Sequence, residues 1–309
     1  MSATTVLKII LLLGAILVAS VPLFAQDSTI IGWKKSLVVD LTGTQTAYSD
    51  SWVGGELGAL SWVGNLNGMA EKQLSPSFNF QSRLKLSFGQ TYMQKSEIDT
   101  LTHTEKKFWE KPRKSTDLID WENVGRLTKG WVVDPYLAVR FESQFLDASY
   151  ELKKRYLNPK KLTESAGIAR KLYARDKDQI ISRFGFAFRQ IFRNVIIDTL
   201  TQKTTDSTLT DGGFESVTDV NLTLHKNIQY TGKLTLYKAL FFSKENEVKG
   251  TPYEDYWKAV DVNWENIFAA SVTKLITVNF YVQFLYDKEV ELRGRLKETL
   301  GIGFVYKML

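Results

Sequence analysis

The sequence predicts an all-β chain: a transmembrane, antiparallel, up-and-down β-barrel of about 12 strands, with short periplasmic turns and longer external loops. Three observations carry that reading. Apolar and polar residues alternate with period two along most of the chain, in runs longer than the 5–6 residues usual for soluble strands. The connections between runs alternate short and long, as they do when one side of a membrane carries tight turns and the other extended loops. The N-terminus has the build of an export signal.

Residues 1–25 read as that signal peptide. Lys8 is their one charge, Ile9–Leu23 an apolar run, and Ala25 a small residue at the cleavage point, leaving Gln26 as the mature N-terminus. The run is short for a spanning helix, which takes about 20 residues; a retained anchor helix is the alternative. Residues 26–309 then form one barrel domain, placed in the outer membrane of a Gram-negative cell.

Strands are expected near 36–46, 58–72, 78–92, 116–128, 131–145, 163–173, 180–192, 214–226, 228–243, 255–272, 276–286 and 292–309. In the third, Phe78, Phe80, Leu84, Leu86 and Phe88 share one face, opposite Asn79, Gln81, Arg83, Lys85 and Ser87. In the fifth, Leu137, Val139 and Phe141 oppose Tyr136, Arg140 and Glu142. Phe184, Phe186, Phe188 and Phe192 likewise oppose Arg183, Ala187 and Arg189. The closing run sets Leu300, Ile302, Phe304, Tyr306 and Met308 against Gly301 and Gly303. A C-terminal strand of this kind suits the barrel-insertion machinery, although the chain ends on Leu309 and not on an aromatic residue.

Tight turns are expected at Lys129–Gly130, Lys226–Asn227 and Thr273–Lys274, with short connections near 73–76 and 174–178. Longer external loops are expected near 47–57, 94–115, 146–162, 194–213 and 244–254, and Asp287–Glu291 makes one short outer turn. Trp131 and Trp257 open strands at opposite rims, where an aromatic girdle belongs. Hydrocarbon offers no hydrogen bonds, so a sheet survives in it only when closed on itself. Its apolar face then meets lipid and its polar face the lumen, and averaging the two gives the bland mean hydropathy of −0.18. The rival fold is a soluble sandwich, whose apolar faces pack on each other.

Facing the lumen should be Arg83, Lys85, Asp134, Arg140, Glu142, Arg183, Arg189, Asp219, Lys233, Asp261, Glu265, Arg295 and Lys297, together with Glu71. Two arrangements fit these charges. They can pair into a plugged interior, since a buried charge needs a partner, giving a structural or interaction barrel. Alternatively, surplus Arg and Lys can line a small diffusion channel favouring anions.

No catalytic, metal or cofactor site is expected. The chain has no cysteine and two histidines. His103 falls in an external loop and His225 beside a tight turn, at opposite ends of the barrel and outside any metal-ligand spacing. An outer-membrane enzyme with a site among the external loops is the further alternative. Gly54-Gly55 lacks the Gly-Lys-Ser/Thr of a phosphate loop. The 40 basic residues are spread along the chain, which argues against nucleic acid. One dense basic and aromatic stretch, Lys106 to Lys114 with Phe108 and Trp109, reads as a solvated external loop, with contact to lipopolysaccharide phosphates or a partner as the alternative. Outer-membrane lipid and lipopolysaccharide are the expected surroundings, with the barrel-insertion machinery as a partner during biogenesis; the sequence leaves any further protein partner open.

Several segments in order, Trp52-Val53-Gly54-Gly55-Glu56, Asp117-Leu118-Ile119-Asp120, Ser143-Gln144-Phe145, Leu285-Tyr286-Asp287 and Glu298-Thr299-Leu300-Gly301-Ile302-Gly303-Phe304, resemble the bacterial domain-of-unknown-function 3078 family. Its members are exported and taken to be outer-membrane barrels. The resemblance implies location and fold over nearly all of the mature chain, and no activity.

Overall fold

A computed structural model describes residues 32–48, 57–98, 105–150 and 152–307. The signal-peptide residues 1–25, Gly54-Gly55 and His103 lie outside the described residues. The strands are β1 (Lys34–Thr46), β2 (Ala59–Ser75), β3 (Phe78–Ile98), β4 (Glu105–Trp109), β5 (Arg113–Leu127), β6 (Asp134–Ser143), β7 (Leu146–Asp147) and β8 (Arg155–Tyr156). They continue with β9 (Lys160–Arg175), β10 (Asp178–Asp198), β11 (Lys203–His225), β12 (Ile228–Phe242), β13 (Val260–Ser271), β14 (Ile276–Asp287) and β15 (Glu291–Lys307). One helical turn, α1 (Glu245–Val248), precedes β13.

Twelve of these strands close a ring in the order β1, β2, β3, β5, β6, β9, β10, β11, β12, β13, β14, β15, every neighbouring pair antiparallel. Closure is made by β1, which pairs with β2 from Lys34↔Glu71 to Thr46↔Ala59 and with β15 from Val38↔Lys307 to Gly43↔Ile302. Closing removes the free sheet edges that an open sheet would expose.

Period two decides which residue faces where, and the result inverts a soluble protein. Leu137 is 69% exposed and Leu296 67%, on the outside of the ring. Inside, Ala169 is wholly buried and Arg183 is 3% exposed. A sandwich would bury the leucines against a second sheet and leave the arginines wet. Among the described residues the apolar faces pack on no second sheet, which rules that fold out.

At one end of the ring the strands join through residues 76–77, 128–133, 176–177, 226–227 and 272–275. Gly130 takes φ +74°, the left-handed conformation that the 128–133 turn needs and that a Cβ disfavours. At the other end the connections include 144–159, which carries the β7–β8 hairpin, and 243–259. Asp117 organises the first of these by accepting the amides of Phe145 (2.6 Å) and Leu146 (2.9 Å).

The loop end departs from expectation at several points. Residues 194–213 are no loop: β10 and β11 run on, pairing as far as Asp198↔Lys203 around a tip of residues 199–202. Likewise β3 extends to Ile98 and pairs with β4. Thr204-Thr205-Asp206-Ser207-Thr208 keeps β-branched propensity without apolar alternation, because both faces of a hairpin beyond the membrane are wet. Trp131 sits in the turn before β6, exposed. Trp257 lies in the loop before β13 and is buried, packed with Phe242, Tyr237, Ala187 and Ala239; it fills the mouth of the ring and takes no part in an outer girdle.

Candidate functional site

The distinctive chemistry lies inside the ring, where inward residues of a long-stranded barrel meet partners far away in sequence. Near the short-turn end, Arg126 of β5 faces Glu71 (3.8 Å) and Asp134 (3.9 Å) and donates to Asn79 (3.1 Å). The middle is built on two carboxylates. Glu122 takes Arg183 at 2.6 Å, Lys233 at 3.4 Å and Arg83 at 4.0 Å. Asp219 receives both terminal nitrogens of Arg83, at 2.9 and 3.1 Å, and faces Arg183 at 3.6 Å. Lys85 reaches Glu265 at 3.3 Å.

Several of these pairs cross the lumen. In the ring order, β3 is third and β11 eighth, β5 fourth and β12 ninth, so Arg83–Asp219 and Lys233–Glu122 join strands nearly opposite each other. Such charges are costly to bury alone. Each is instead compensated by geometry that suits it, and the two-pronged Arg83–Asp219 contact is the stronger, more directional kind.

Toward the loop end, Arg140 clamps Asp120 with two bonds of 2.8 Å and reaches Glu142 at 3.1 Å, which also takes Lys161 at 3.2 Å. Arg189 binds Asp211 at 2.7 and 3.1 Å and Asp261 at 2.8 Å, its guanidinium 3.5 Å from the centre of the Tyr237 ring. The Tyr237 hydroxyl donates to Asp211 at 2.5 Å. Ionic, hydrogen-bonding and cation–π contacts thus fix one arginine from three sides.

Of the residues expected to line the lumen, Arg83, Lys85, Arg140, Glu142, Arg183, Arg189, Asp219, Lys233, Asp261 and Glu265 come together in these contacts, with Asp134 and Glu71 around Arg126. Lys297 instead donates to the Thr116 hydroxyl at 3.0 Å. Arg295 has its Nε buried without a hydrogen-bond partner, beside a cavity of about 190 Å³ that Arg140, Arg189, Glu215 and Asp261 also line. The expected list omitted Asp120, Glu122, Arg126, Lys161 and Asp211, among them the hub of the middle layer. The available signal was Asp120, Glu122 and Arg126 on the even positions of one strand.

Above the ion pairs, at the loop end, a larger cavity of about 500 Å³ opens between the 243–259 loop and the β14–β15 turn. Phe242, Tyr253, Tyr256 and Trp257 supply its aromatic wall, and Lys288, Glu289 and Glu291 its charges. Glu289 stands at the exposed turn, but its carboxyl is crowded by the protein wall and by Asp287 and Asp261, which together push it up to about 7. Among the described residues, no group of three His, Cys, Asp or Glu side chains is placed to hold a metal ion. His225 ends β11 at the short-turn end.

Solved structures that match the chain include the translocator domain of the autotransporter NalP from Neisseria meningitidis, 8% identical, covering 98% of this chain and 95% of that one with a TM-score of 0.35. The COG4313 outer membrane channel from Pseudomonas putida F1 is 12% identical, with 93% and 98% covered and a TM-score of 0.38. The β domain of the Bordetella autotransporter BrkA is 10% identical, with 88% and 98% covered and a TM-score of 0.33. No curated protein matches the chain. The family resemblance expected along nearly the whole mature chain is narrower in extent than that expectation. Residues 44–149, from the end of β1 through the β7 region, match the model of the family described as "Protein of unknown function (DUF3078)".

Proposed function

We propose that this protein is a non-catalytic, non-conducting barrel of the Gram-negative outer membrane, reached through the N-terminal signal. It is a structural or interaction barrel, with its working surface at the external loop end. The carrying observation is the set of ion pairs bridging opposite walls of the lumen, Arg83–Asp219, Lys233–Glu122 and Lys85–Glu265. A solute path along the axis has to break several of them, each break leaving a buried charge at a cost of about 3–5 kcal/mol. The outward leucines and aromatics support the membrane location, because water penalises a continuous apolar exterior and lipid does not.

Planar-bilayer recordings test this reading. The expected result is electrical silence across many insertions of barrel shown to be folded by its heat-modifiable migration on gels. Regular anion-selective conductance steps would overturn it in favour of a small diffusion channel.

A further inference from the structure

The mouth cavity lies outside the cross-braced part of the lumen, and at about 500 Å³ it falls within the size range of small-molecule sites, roughly 300–1,000 Å³. Its walls are aromatic in two orientations. Phe242 and Trp257 stack with ring centres 6.0 Å apart, and Tyr253 meets Tyr256 edge-on at 5.4 Å. The charges around it are mostly of one sign. Glu289 and Glu291 line it against the single Lys288, while Asp287 and Asp261 stand behind. The nearby cation Arg189 is already committed to Asp211 and Asp261.

The rings also show which charge they take. The ammonium of Lys288 lies 4.6 Å from the centre of the Tyr256 ring, and that of Lys258 lies 5.3 Å from the Trp257 ring. Electron-rich ring faces beside carboxylates attract positive charge, and they do so best where water is partly excluded. An anion placed here meets the carboxylates, and a neutral ligand gains nothing from them.

We propose that the mouth cavity is a binding site for an organic cation, an ammonium group carried on an apolar body, with Tyr256 and Glu289 receiving the charge. Lys288 lies over the Tyr256 ring and competes with the ligand for it. The idea stands apart from the sealed lumen: a conducting barrel can still carry this site, and a silent one can lack it.

Isothermal titration of the full-length barrel in non-ionic detergent tests it, with benzyltrimethylammonium as probe and benzyl alcohol and phenylacetate as neutral and anionic controls. One saturable site is expected for the cation, with both controls at least about tenfold weaker. The probe is charged at every pH, so any pH dependence comes from the protein. Glu289 is faced by Lys288 and Glu291 on its own turn, by Asp287 and Asp261 from β14 and β13, and by Arg189 and Asp211 from β10 and β11; Tyr253 and Tyr256 share its cavity. Because the protein wall and the carboxylates of Asp287 and Asp261 push Glu289 up to about 7, affinity should rise between pH 6 and pH 8. Glu289→Gln should weaken binding and flatten that rise, and Lys288→Met should tighten binding by removing the internal competitor. Equal binding of benzyl alcohol, a preference for phenylacetate, no binding of the probe, or a Glu289→Gln variant with unchanged affinity and pH profile would each overturn the proposal.

Discussion

Glu122→Gln puts the electrostatic account under most stress. Glu122 is 6% exposed and serves three cations, Arg183, Lys233 and Arg83, with Asp219 as the neighbouring carboxylate. Glutamine keeps the size and the hydrogen-bonding capacity but removes the charge, leaving three cations around one carboxylate. If the layer is dry, this strands buried charge at a cost of about 3–5 kcal/mol. If water fills the lumen, the same pairs are worth about 0–1 kcal/mol. A loss of about 3 kcal/mol, more than a hundredfold in the unfolding constant, is therefore expected. Reversible urea unfolding in phospholipid vesicles, followed by tryptophan fluorescence, measures it. Adding Lys233→Met should restore part of the loss, because the two sites share one interaction. A loss below about 1 kcal/mol would refute the closed, dry middle layer.

Leu137→Arg, on the outer face of β6 midway along the strand, should cost about 2–4 kcal/mol in the same vesicles; a change within about 0.5 kcal/mol would mean that this face meets water. Gly213→Ala should cost about 1–3 kcal/mol, since an added Cβ collides with the Lys238 carbonyl at the bulge between β11 and β12, and unchanged stability would show that the bulge relaxes freely.

Where one strand face is uniformly greasy, the sequence suffices to place it. Phe184, Phe186 and Phe188 mark β10 without ambiguity, and the apolar runs of β3, β6 and β14 are of the same kind. The signal fades on β5, where Trp121, Asn123, Gly125 and Leu127 make a mixed outer face, so Asp120, Glu122 and Arg126 escaped notice as lumen residues. Asp211 was hidden because the stretch around it is polar on both sides and reads as loop, although it pairs with Arg189 across the β10–β11 ladder. Which charge meets which was beyond reach. Arg83 and Asp219 are 136 residues apart, and only the stagger of a closed ring brings them into contact. The mouth cavity has the same origin: a loop preceding β13 and a turn following β14 leave no joint trace in the chain.

The chain contains no cysteine, so single cysteines can be introduced one at a time for spin labelling in lipid vesicles. Labels replacing Leu137, Leu296 and Phe304 should collide readily with oxygen dissolved in the bilayer and poorly with a water-soluble nickel chelate, while labels replacing Ser87 and Thr235 should be shielded from the chelate. Outward labels that favour the chelate, or inward ones that it reaches freely, would contradict a ring that turns its apolar side to lipid and closes its interior with its own charges.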